Sequence, residues 1–268
     1  MQMINSVFHT ENYFSVNNIK VYQPTVIFTR NAEIKLFCMH EDITIPPHAI
    51  AFIEKGLNFN VIVLKKEAGV PYKSAVIDNA VMMSVHQLFE TAFYQNKILS
   101  APQNRTLKDK VLFVEKLNYE EDFFCKMPDN KDDLIHRSCK LAYILSMLPE
   151  KDKLFISMTA SIVKNFSDKV REVIEEKLDK KWKLSDIAEK FHCSEITVRK
   201  KLEKENITFN QLVYDIRMKN AARFILSTDC NVAAVAAATG ISSTSYFIKQ
   251  FKSFFGMTPK KYYLNFIK

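Results

Sequence analysis

The segment between Gly240 and Gly256 combines lysines with small polar side chains on one side of a predicted helix. Its four phenylalanines follow the spacing of a single helix face: Phe247, Phe251, Phe254 and Phe255. This stripe predicts that the face is buried against a core. The opposite face carries short, apolar or basic side chains: Thr244, Ser245, Ile248, Lys249 and Lys252. Such side chains allow close approach to a polyanion, although a solvated helix face has the same composition.

Both glycines of this segment have a predicted backbone role. Gly240 stands in a tight turn between two helices, where a positive φ is often needed and glycine adopts it without a Cβ clash. Gly256 follows the phenylalanine stripe at the position of a C-terminal cap. Thr258 and Pro259 then predict the cap and the first residue of a last helix.

A second helix-turn-helix pattern occurs earlier, in LSDIAEKFHCSEITVRKKLEKE from Leu184. One apolar helix face is followed by an interruption at His192 and Cys193, and then by Ser194 as the N-cap of another helix. The same order recurs from Val232, with Gly240 at the turn. We therefore predict a first helix-turn-helix at about residues 184–204 and a second at about 232–255, which together are harder to obtain by chance than one alone.

A helix is also predicted between the two motifs, at about residues 208–227. Thr208 and Gln211 form a capping-box signature at its start, and the following residues favour helix. About 20 helical residues span about 30 Å. This length is close to the ~34 Å between successive major-groove segments on one face of B-form DNA. A rigid linker of that length suits two recognition helices placed in adjacent grooves.

The charge of the chain is unevenly distributed. Residues 164–268 hold 20 Lys and Arg against 12 Asp and Glu, so they carry the entire formal charge of +8, while residues 1–163 are balanced. A localised positive charge is expected of a nucleic-acid-binding domain, and a lysine-rich solvated face would look the same.

The first part of the chain is rich in predicted strands. Short β-branched and aromatic runs separated by polar residues predict an antiparallel β unit, in the stretches IKVYQPTVIFT, EIKLFCM, AIAFIE and NFNVIVL. Helical spacing follows at residues 78–94 and 132–148, which predicts helices that pack beside the sheet or form an oligomer contact. We predict an α+β fold with a β-rich domain at residues 1–155 and an all-α DNA-binding domain at residues 164–268.

From about Ser167 to Lys268 the chain resembles the AraC/XylS family of bacterial transcription regulators. The most specific part is G-I-S-S-x-S-Y-F-x-K-x-F-K-x-x-F-G-x-T-P-x-x-Y, which begins at Gly240. Within that family the chain is most similar to the enteric virulence regulators of the ToxT/Rns type. The resemblance implies a cupin-like first domain that senses an effector or dimerises. It also implies sequence-specific binding to double-stranded promoter DNA and activation of virulence genes through RNA polymerase.

The same resemblance implies which side chains read DNA. In the first recognition helix the base-contacting positions fall on Ile196, Thr197, Arg199 and Lys200. In the second they fall on Thr244, Ser245, Tyr246, Ile248 and Lys249. Arginine can grip guanine through two hydrogen bonds, whereas threonine or isoleucine suits the thymine methyl group, so the first helix is expected to carry more hydrogen-bonded readout. Lys252, Lys260 and Lys261 are expected to contact phosphate or solvent.

For the first domain, the resemblance implies that a small effector such as a fatty acid or bicarbonate is bound. We nominate Tyr22, Arg30 and Lys73, since these polar groups interrupt apolar strands. The family's carboxylate-binding residues do not map cleanly here, because Tyr22 and Thr25 occupy the equivalent strand positions. A homodimer contact is assigned to one of the helices at residues 78–94 or 132–148.

Other classes of protein fit the sequence less well. A cupin enzyme would need an HxH pair, and His40 and His48 are the nearest approach to one, so we predict no catalysis, no cofactor and no metal site. Apolar runs are far shorter than the ~20 residues of a membrane span, and the N-terminus lacks a signal pattern, so a cytoplasmic protein without membrane contact is expected. A repressor or silencing antagonist with the same fold remains an alternative to an activator.

Overall fold

The computed structural model describes residues 13–38, 40–67, 69–93, 104–115, 132–227 and 231–267. The chain divides into two compact units, Met1–Ile162 and Val163–Ile267. Buried apolar side chains form a core in each of them.

Two four-stranded antiparallel sheets form the first unit. Their strand orders are β1-β6-β3-β4 and β7-β2-β5-β8. The strands are β1 Tyr13–Lys20, β2 Thr25–Thr29, β3 Ala32–Cys38, β4 Glu41–Ile45, β5 Ile50–Ile53, β6 Asn58–Lys65, β7 Tyr72–Val76 and β8 Val111–Val114. In β3 the buried residues alternate with half-buried ones, as expected of a strand with one face toward the core. All four residues of β5 are buried, so both of its faces are covered.

Three helices in the described part of the chain pack on the second sheet. They are α1 Asn79–Phe93, α2 Leu134–Met147 and α3 Lys151–Ile162. Phe28 and Phe52 from the sheet share one core with Met82, Leu141 and Met158 from the three helices. The helices predicted at residues 78–94 and 132–148 correspond to α1 and α2, except that residue 94 lies outside the described residues.

The first unit extends further along the chain than the sequence indicated. Residues 156–162 fall between the two predicted domains, whereas α3 runs to Ile162 inside the first unit. The reason is packing, because Leu154, Phe155 and Met158 all lie in the core shared with the second sheet. The apolar residues of α3 predict a buried helix face, but they do not indicate which of the two domains covers it.

A buried ion pair ties the end of β5 to the 3₁₀ turn Leu107–Asp109 and to α3. Arg105 Nη2 lies 2.5 Å from Glu54 Oε2 and also donates to Ser157 Oγ over 2.6 Å. A further bond runs from Arg105 Nη2 to the Asp109 carbonyl oxygen, over 2.8 Å. Satisfying both charges in this way offsets the cost of removing them from water.

The second unit is helical throughout its described elements. They are α4 Phe166–Glu175, α5 Leu184–Lys190, α6 Glu195–Glu203, α7 Phe209–Ser227, α8 Val232–Ala238, α9 Thr244–Phe255 and α10 Pro259–Ile267. The pairs α5–α6 and α8–α9 each join two helices through a short turn. The predicted fold class, a β-rich first part followed by an all-α part with two helix-turn-helix motifs, is confirmed.

Candidate nucleic-acid interface

The first helix-turn-helix motif is built on a small apolar contact. Ile187 and Ala188 on α5 and Val198 and Leu202 on α6 are buried, which packs the two helices against each other. Ser194 begins α6 by accepting a hydrogen bond from the Thr197 backbone N–H at 3.2 Å. This cap satisfies one of the unpaired donors of the first turn and fixes where the recognition helix starts.

The opposite face of α6 bears the side chains predicted to read DNA. Arg199 and Lys200 are exposed, and Ile196 is 64% exposed although it is a large apolar residue. Thr197 is different, because it is half-buried and its hydroxyl lies 2.9 Å from Ser194 Oγ. The threonine hydroxyl is therefore engaged at the cap.

In the second motif, the phenylalanine stripe supports α9. All four phenylalanines are buried, and Phe251 and Phe255 also pack against the Tyr262 ring of α10. Gly256 ends the helix with φ 79° and donates to the Lys252 carbonyl oxygen over 2.9 Å. The predicted stripe and the glycine cap are both present, since burial of the rings outweighs their weak helix propensity.

The outer face of α9 presents a mixture of polar, apolar and basic groups. Ser245, Lys249 and Lys252 are exposed and Tyr246 is 55% exposed, whereas Thr244 and Ile248 are half-buried. Ser243 caps the helix by accepting from the Tyr246 backbone N–H. Beyond the helix, Lys260 and Lys261 of α10 are exposed as well.

The cations on the two recognition helices are available to a polyanion. Within the part of the chain that the structure describes, no carboxylate forms an ion pair with Arg199, Lys200, Lys249 or Lys252. A DNA phosphate or base would therefore not have to displace an internal partner. This matters because breaking an existing ion pair would offset part of the electrostatic gain of binding.

The linker helix α7 connects the motifs, and 8 of its 19 residues are buried. Its Tyr214 hydroxyl donates to the Gln250 carbonyl oxygen of α9 over 3.0 Å, and its ring meets Phe254 edge-on. Thr208 caps the start of α7 as predicted, but Gln211 does not complete the capping box. Its side chain instead donates to the buried Asp215 Oδ1 over 2.6 Å.

A contact that the sequence did not reveal joins the two motifs. The loop between α4 and α5 meets the turn between α8 and α9, where Gly240 has φ 72°. Arg217 of α7 donates from Nη2 to the Lys180 carbonyl oxygen in that loop over 2.9 Å. Burial lowers the pKa of the Arg217 guanidinium. Trp182, in the same loop, donates to the Lys177 carbonyl oxygen and stacks under Lys180.

The residues nominated for an effector do not come together in the first unit. Arg30 follows β2, and Lys73 on β7 pairs with Phe28 of β2, so both lie near one end of that strand. Tyr22 precedes β2, with Lys20 Nζ 5.3 Å from its ring centre. A five-residue strand, about 17 Å long, therefore separates Tyr22 from the other two.

Among the described residues there is no group of three or more His, Cys, Asp and Glu placed to hold a metal ion. None of the helices in the described part of the chain combines the length and the apolar character that crossing a membrane would require.

Comparison with known proteins identifies this architecture. A family described as "Helix-turn-helix domain" matches residues 187–264. The HTH-type transcriptional activator FapR of Escherichia coli is 36% identical over 92% of this chain and 95% of its own length. The virulence regulon transcriptional activator VirF of Shigella flexneri is 30% identical over 92% of this chain and 93% of its own length. A crystal structure of unsaturated fatty acid-bound wild-type ToxT from Vibrio cholerae covers 96% of this chain and 92% of its own, with a TM-score of 0.61 and 14% identity.

A β-rich unit joined to two helix-turn-helix motifs with exposed cationic faces defines a sequence-specific DNA-binding transcription regulator. The chain belongs to the AraC family of helix-turn-helix transcriptional activators, as the resemblance of its sequence implied. The relatives named are transcription regulators and not enzymes.

Proposed function

We propose that this protein activates virulence genes by placing α6 and α9 in successive major grooves of promoter DNA. The observation that carries the proposal is the pair of exposed helix faces on a basic unit, joined by a linker helix of 19 residues, or about 28 Å. The relative VirF is a virulence regulon activator, which supports the same class of target genes here. The site would be a promoter in the bacterial cytoplasm.

On α6, Arg199 is assigned to base readout, with Ile196 available to a thymine methyl group. On α9, Lys249 is assigned to base readout together with Ser245 and Tyr246, which are exposed on the same helix. Lys252, Lys260 and Lys261 are assigned to phosphates, which position the protein without carrying sequence information. Thr197 is assigned to the methyl contact alone, since its hydroxyl is engaged at the cap.

The proposal is tested by a genome-wide chromatin binding map with transcript levels from the same cultures. The wild type is compared with an Arg199→Ala, Lys249→Ala double variant, and an Arg223→Ala variant is the control for loss of an exposed cation elsewhere in the unit. Discrete peaks upstream of induced genes, lost only in the double variant, are expected. Peaks that persist in the double variant would contradict the proposal, and reduced transcripts at bound promoters would indicate a repressor.

We also propose that the first unit binds an effector with a carboxylate or similar anion, either a fatty acid or bicarbonate. The shared fold with fatty acid-bound ToxT supports the proposal. Arg30 and Lys73, near one end of β2, are the assigned cations, and Tyr22 is too far along the strand to share the same group. Either ligand should raise the melting temperature of the wild type, and Arg30→Gln, Lys73→Gln should remove the shift. If neither the fatty acid nor bicarbonate raises the melting temperature of the wild type, this part of the proposal is contradicted.

A homodimer is proposed on α1 or α2, whose outer faces expose apolar side chains. These are Met83, Leu88 and Phe93 on α1, and Leu134, Ile135 and Tyr143 on α2. Contact with RNA polymerase is proposed as the route to activation. Sedimentation of the wild type is compared with that of Leu88→Glu and Ile135→Glu, each of which places a charge on one of these outer faces. A wild type that stays monomeric at high concentration, with and without DNA, would contradict the dimer.

A further inference from the structure

The loop between α4 and α5 presses against the turn of the second motif more closely than any other residue type at Gly240 would allow. A Cβ atom added to Gly240 would lie 2.8 Å from the Asp179 carbonyl oxygen and 3.0 Å from that of Leu178. Both neighbours are backbone atoms, so they cannot move aside as a flexible side chain would. Glycine is required here twice, for this approach and for its φ of 72°.

The linker helix contacts the same loop. Arg217 Nη2 donates to the Lys180 carbonyl oxygen, and it would lie 3.0 Å from a Cβ on Gly240. The guanidinium therefore fills the space between the loop and the turn. We name this cluster the clasp: Leu178, Asp179, Lys180, Arg217 and Gly240. It joins the loop before α5, the linker helix and the turn before α9.

The linker helix alone does not set the angle between the recognition helices. α6 ends at Glu203 and α7 begins at Phe209, and between them Asn206 has φ 53°. The chain thus changes direction between the first recognition helix and the linker. Where a helix is not continuous, side-chain and backbone contacts must fix the orientation of its neighbours, and the clasp is a direct contact of that kind between the two motifs.

We propose that the clasp fixes the separation and rotation of α6 relative to α9, and thereby the spacing between the two half-sites that the protein accepts. The inference rests on the proposed function, because it requires both helices to read DNA. One added base pair moves a half-site by about 3.4 Å and rotates it by about 35°. A rigid clasp cannot follow that displacement, whereas a loosened one can.

The test selects binding sites from random double-stranded DNA with the wild type, Arg217→Met and Arg223→Met. Arg217→Met keeps much of the side-chain volume but removes the donor to Lys180. Arg223→Met is the matched control, since Arg223 lies on the same helix and its guanidinium bonds only to Asn220 one turn away among its described hydrogen bonds. Sites with one base pair added or removed between the half-sites are then compared by affinity.

The wild type and Arg223→Met are expected to select one spacing and to lose about tenfold or more in affinity at the altered spacings, as when one good base contact is lost. Arg217→Met should select the same half-sites at two or more spacings and lose much less than tenfold. Arg217→Lys, which restores a donor, should recover the single spacing. Loss of stability alone would weaken binding at every spacing equally and would not broaden the choice.

Two results would overturn the inference, and they are distinguishable. If Arg217→Met selects a single spacing with the wild-type penalty, the clasp does not set the spacing, although the DNA-reading function stands. If the wild type selects no two-part site, both the inference and the proposed use of two recognition helices fail. Should Arg217→Met not fold, Arg217→Gln, whose shorter side chain withdraws the donor from the Lys180 carbonyl oxygen, is read by the same criterion.

Discussion

At the scale of single residues, we propose that the exposed faces of α6 and α9 carry two kinds of group, some that read bases and some that supply charge. Arg199 can form two hydrogen bonds to a guanine edge, whereas Lys252 is a single mobile charge on the last turn of α9. Both are exposed and neither forms an ion pair within the described ranges. Their substitutions should therefore have different effects on specific and random DNA.

Arg199→Ala should reduce the preference for the specific site over random DNA by about 1–3 kcal/mol, because a bidentate base contact is lost. Lys252→Ala should weaken binding to both DNAs alike and reduce the slope of log affinity against log salt by about one unit. Titrations on both DNAs at several salt concentrations measure this. The two variants serve as controls for each other, and equal losses on both DNAs for both variants would refute the assignment.

At the scale of elements, the helices depend on side chains from other parts of the chain. The N-terminus of α4 is held by Glu205, whose carboxylate accepts from the backbone N–H groups of Phe166 and Ser167 at 2.7 and 3.1 Å. A carboxylate at this position satisfies two unpaired donors and lies at the positive end of the helix dipole. The turn after α6 is thereby fastened to the first helix of the unit.

Glu205→Ala should lower the free energy of unfolding by about 1–3 kcal/mol, because two N–H groups lose a charged acceptor. Glu203→Ala is the control, since Glu203 is an exposed carboxylate two residues away. Urea unfolding followed by far-ultraviolet circular dichroism measures the difference. An equal loss of unfolding free energy in both variants would mean that Glu205 contributes only as a negative charge and not through its two hydrogen bonds.

In the first unit, His86 joins α1 to α3 and makes this contact sensitive to pH. Its ring stacks on Phe155 at 4.5 Å and bonds to Thr159 at 2.9 Å. Burial lowers the pKa of the His86 imidazole below 6.5, with Glu90 opposing the shift. Below about pH 6.5 the unfolded chain therefore binds more protons at this site than the folded one, so acidification favours unfolding.

The wild type should lose more thermal stability between about pH 7.5 and about pH 5.5, on either side of the ordinary histidine pKa of about 6.5, than His86→Phe, which retains a stacked ring but has no proton to bind. The contribution is fully present above the unfolded pKa and is lost as the pH falls toward the folded one. Melting temperatures of both proteins at the two pH values check the difference, and parallel losses would count against a role for His86.

The periodic elements could be predicted from sequence, while contacts across the fold could not. The stripe of Phe247 and Phe251 and the cap at Gly256 are local patterns, and the α+β class followed from such patterns. Arg217 offered no local signal, because its partner is a backbone carbonyl distant in sequence. Tyr22 and Arg30 lie at opposite ends of β2, whereas the pairing that brings Lys73 of β7 close to Arg30 is a contact across the sheet that no local pattern predicts.

At the scale of the whole molecule, folding units and charge are divided at nearly the same place. The second unit begins at Val163, and residues 164–268 hold the whole formal charge of +8. The first unit contributes a balanced set of charges and the apolar outer faces of α1 and α2. Electrostatic attraction to DNA should therefore come from the second unit alone.

A fragment that begins at Val163 should bind random DNA with the same salt slope as the full chain, to within about one unit, because it retains the cations that displace counterions. Titration of both proteins at matched salt concentrations checks this. The isolated first unit is the control and should not bind. A markedly shallower slope for the fragment would show that cations of the first unit also contact DNA.

The loop that meets Gly240 contains the only tryptophan of the chain, Trp182, with its indole bonded to the Lys177 carbonyl oxygen and Lys180 over its ring. The tryptophan fluorescence of the unlabelled protein thus originates from one side chain, which lies beside the junction of the two motifs. Any rearrangement there on loading with DNA would alter the emission wavelength or its quenching, so the protein carries its own optical reporter of how the two motifs are joined.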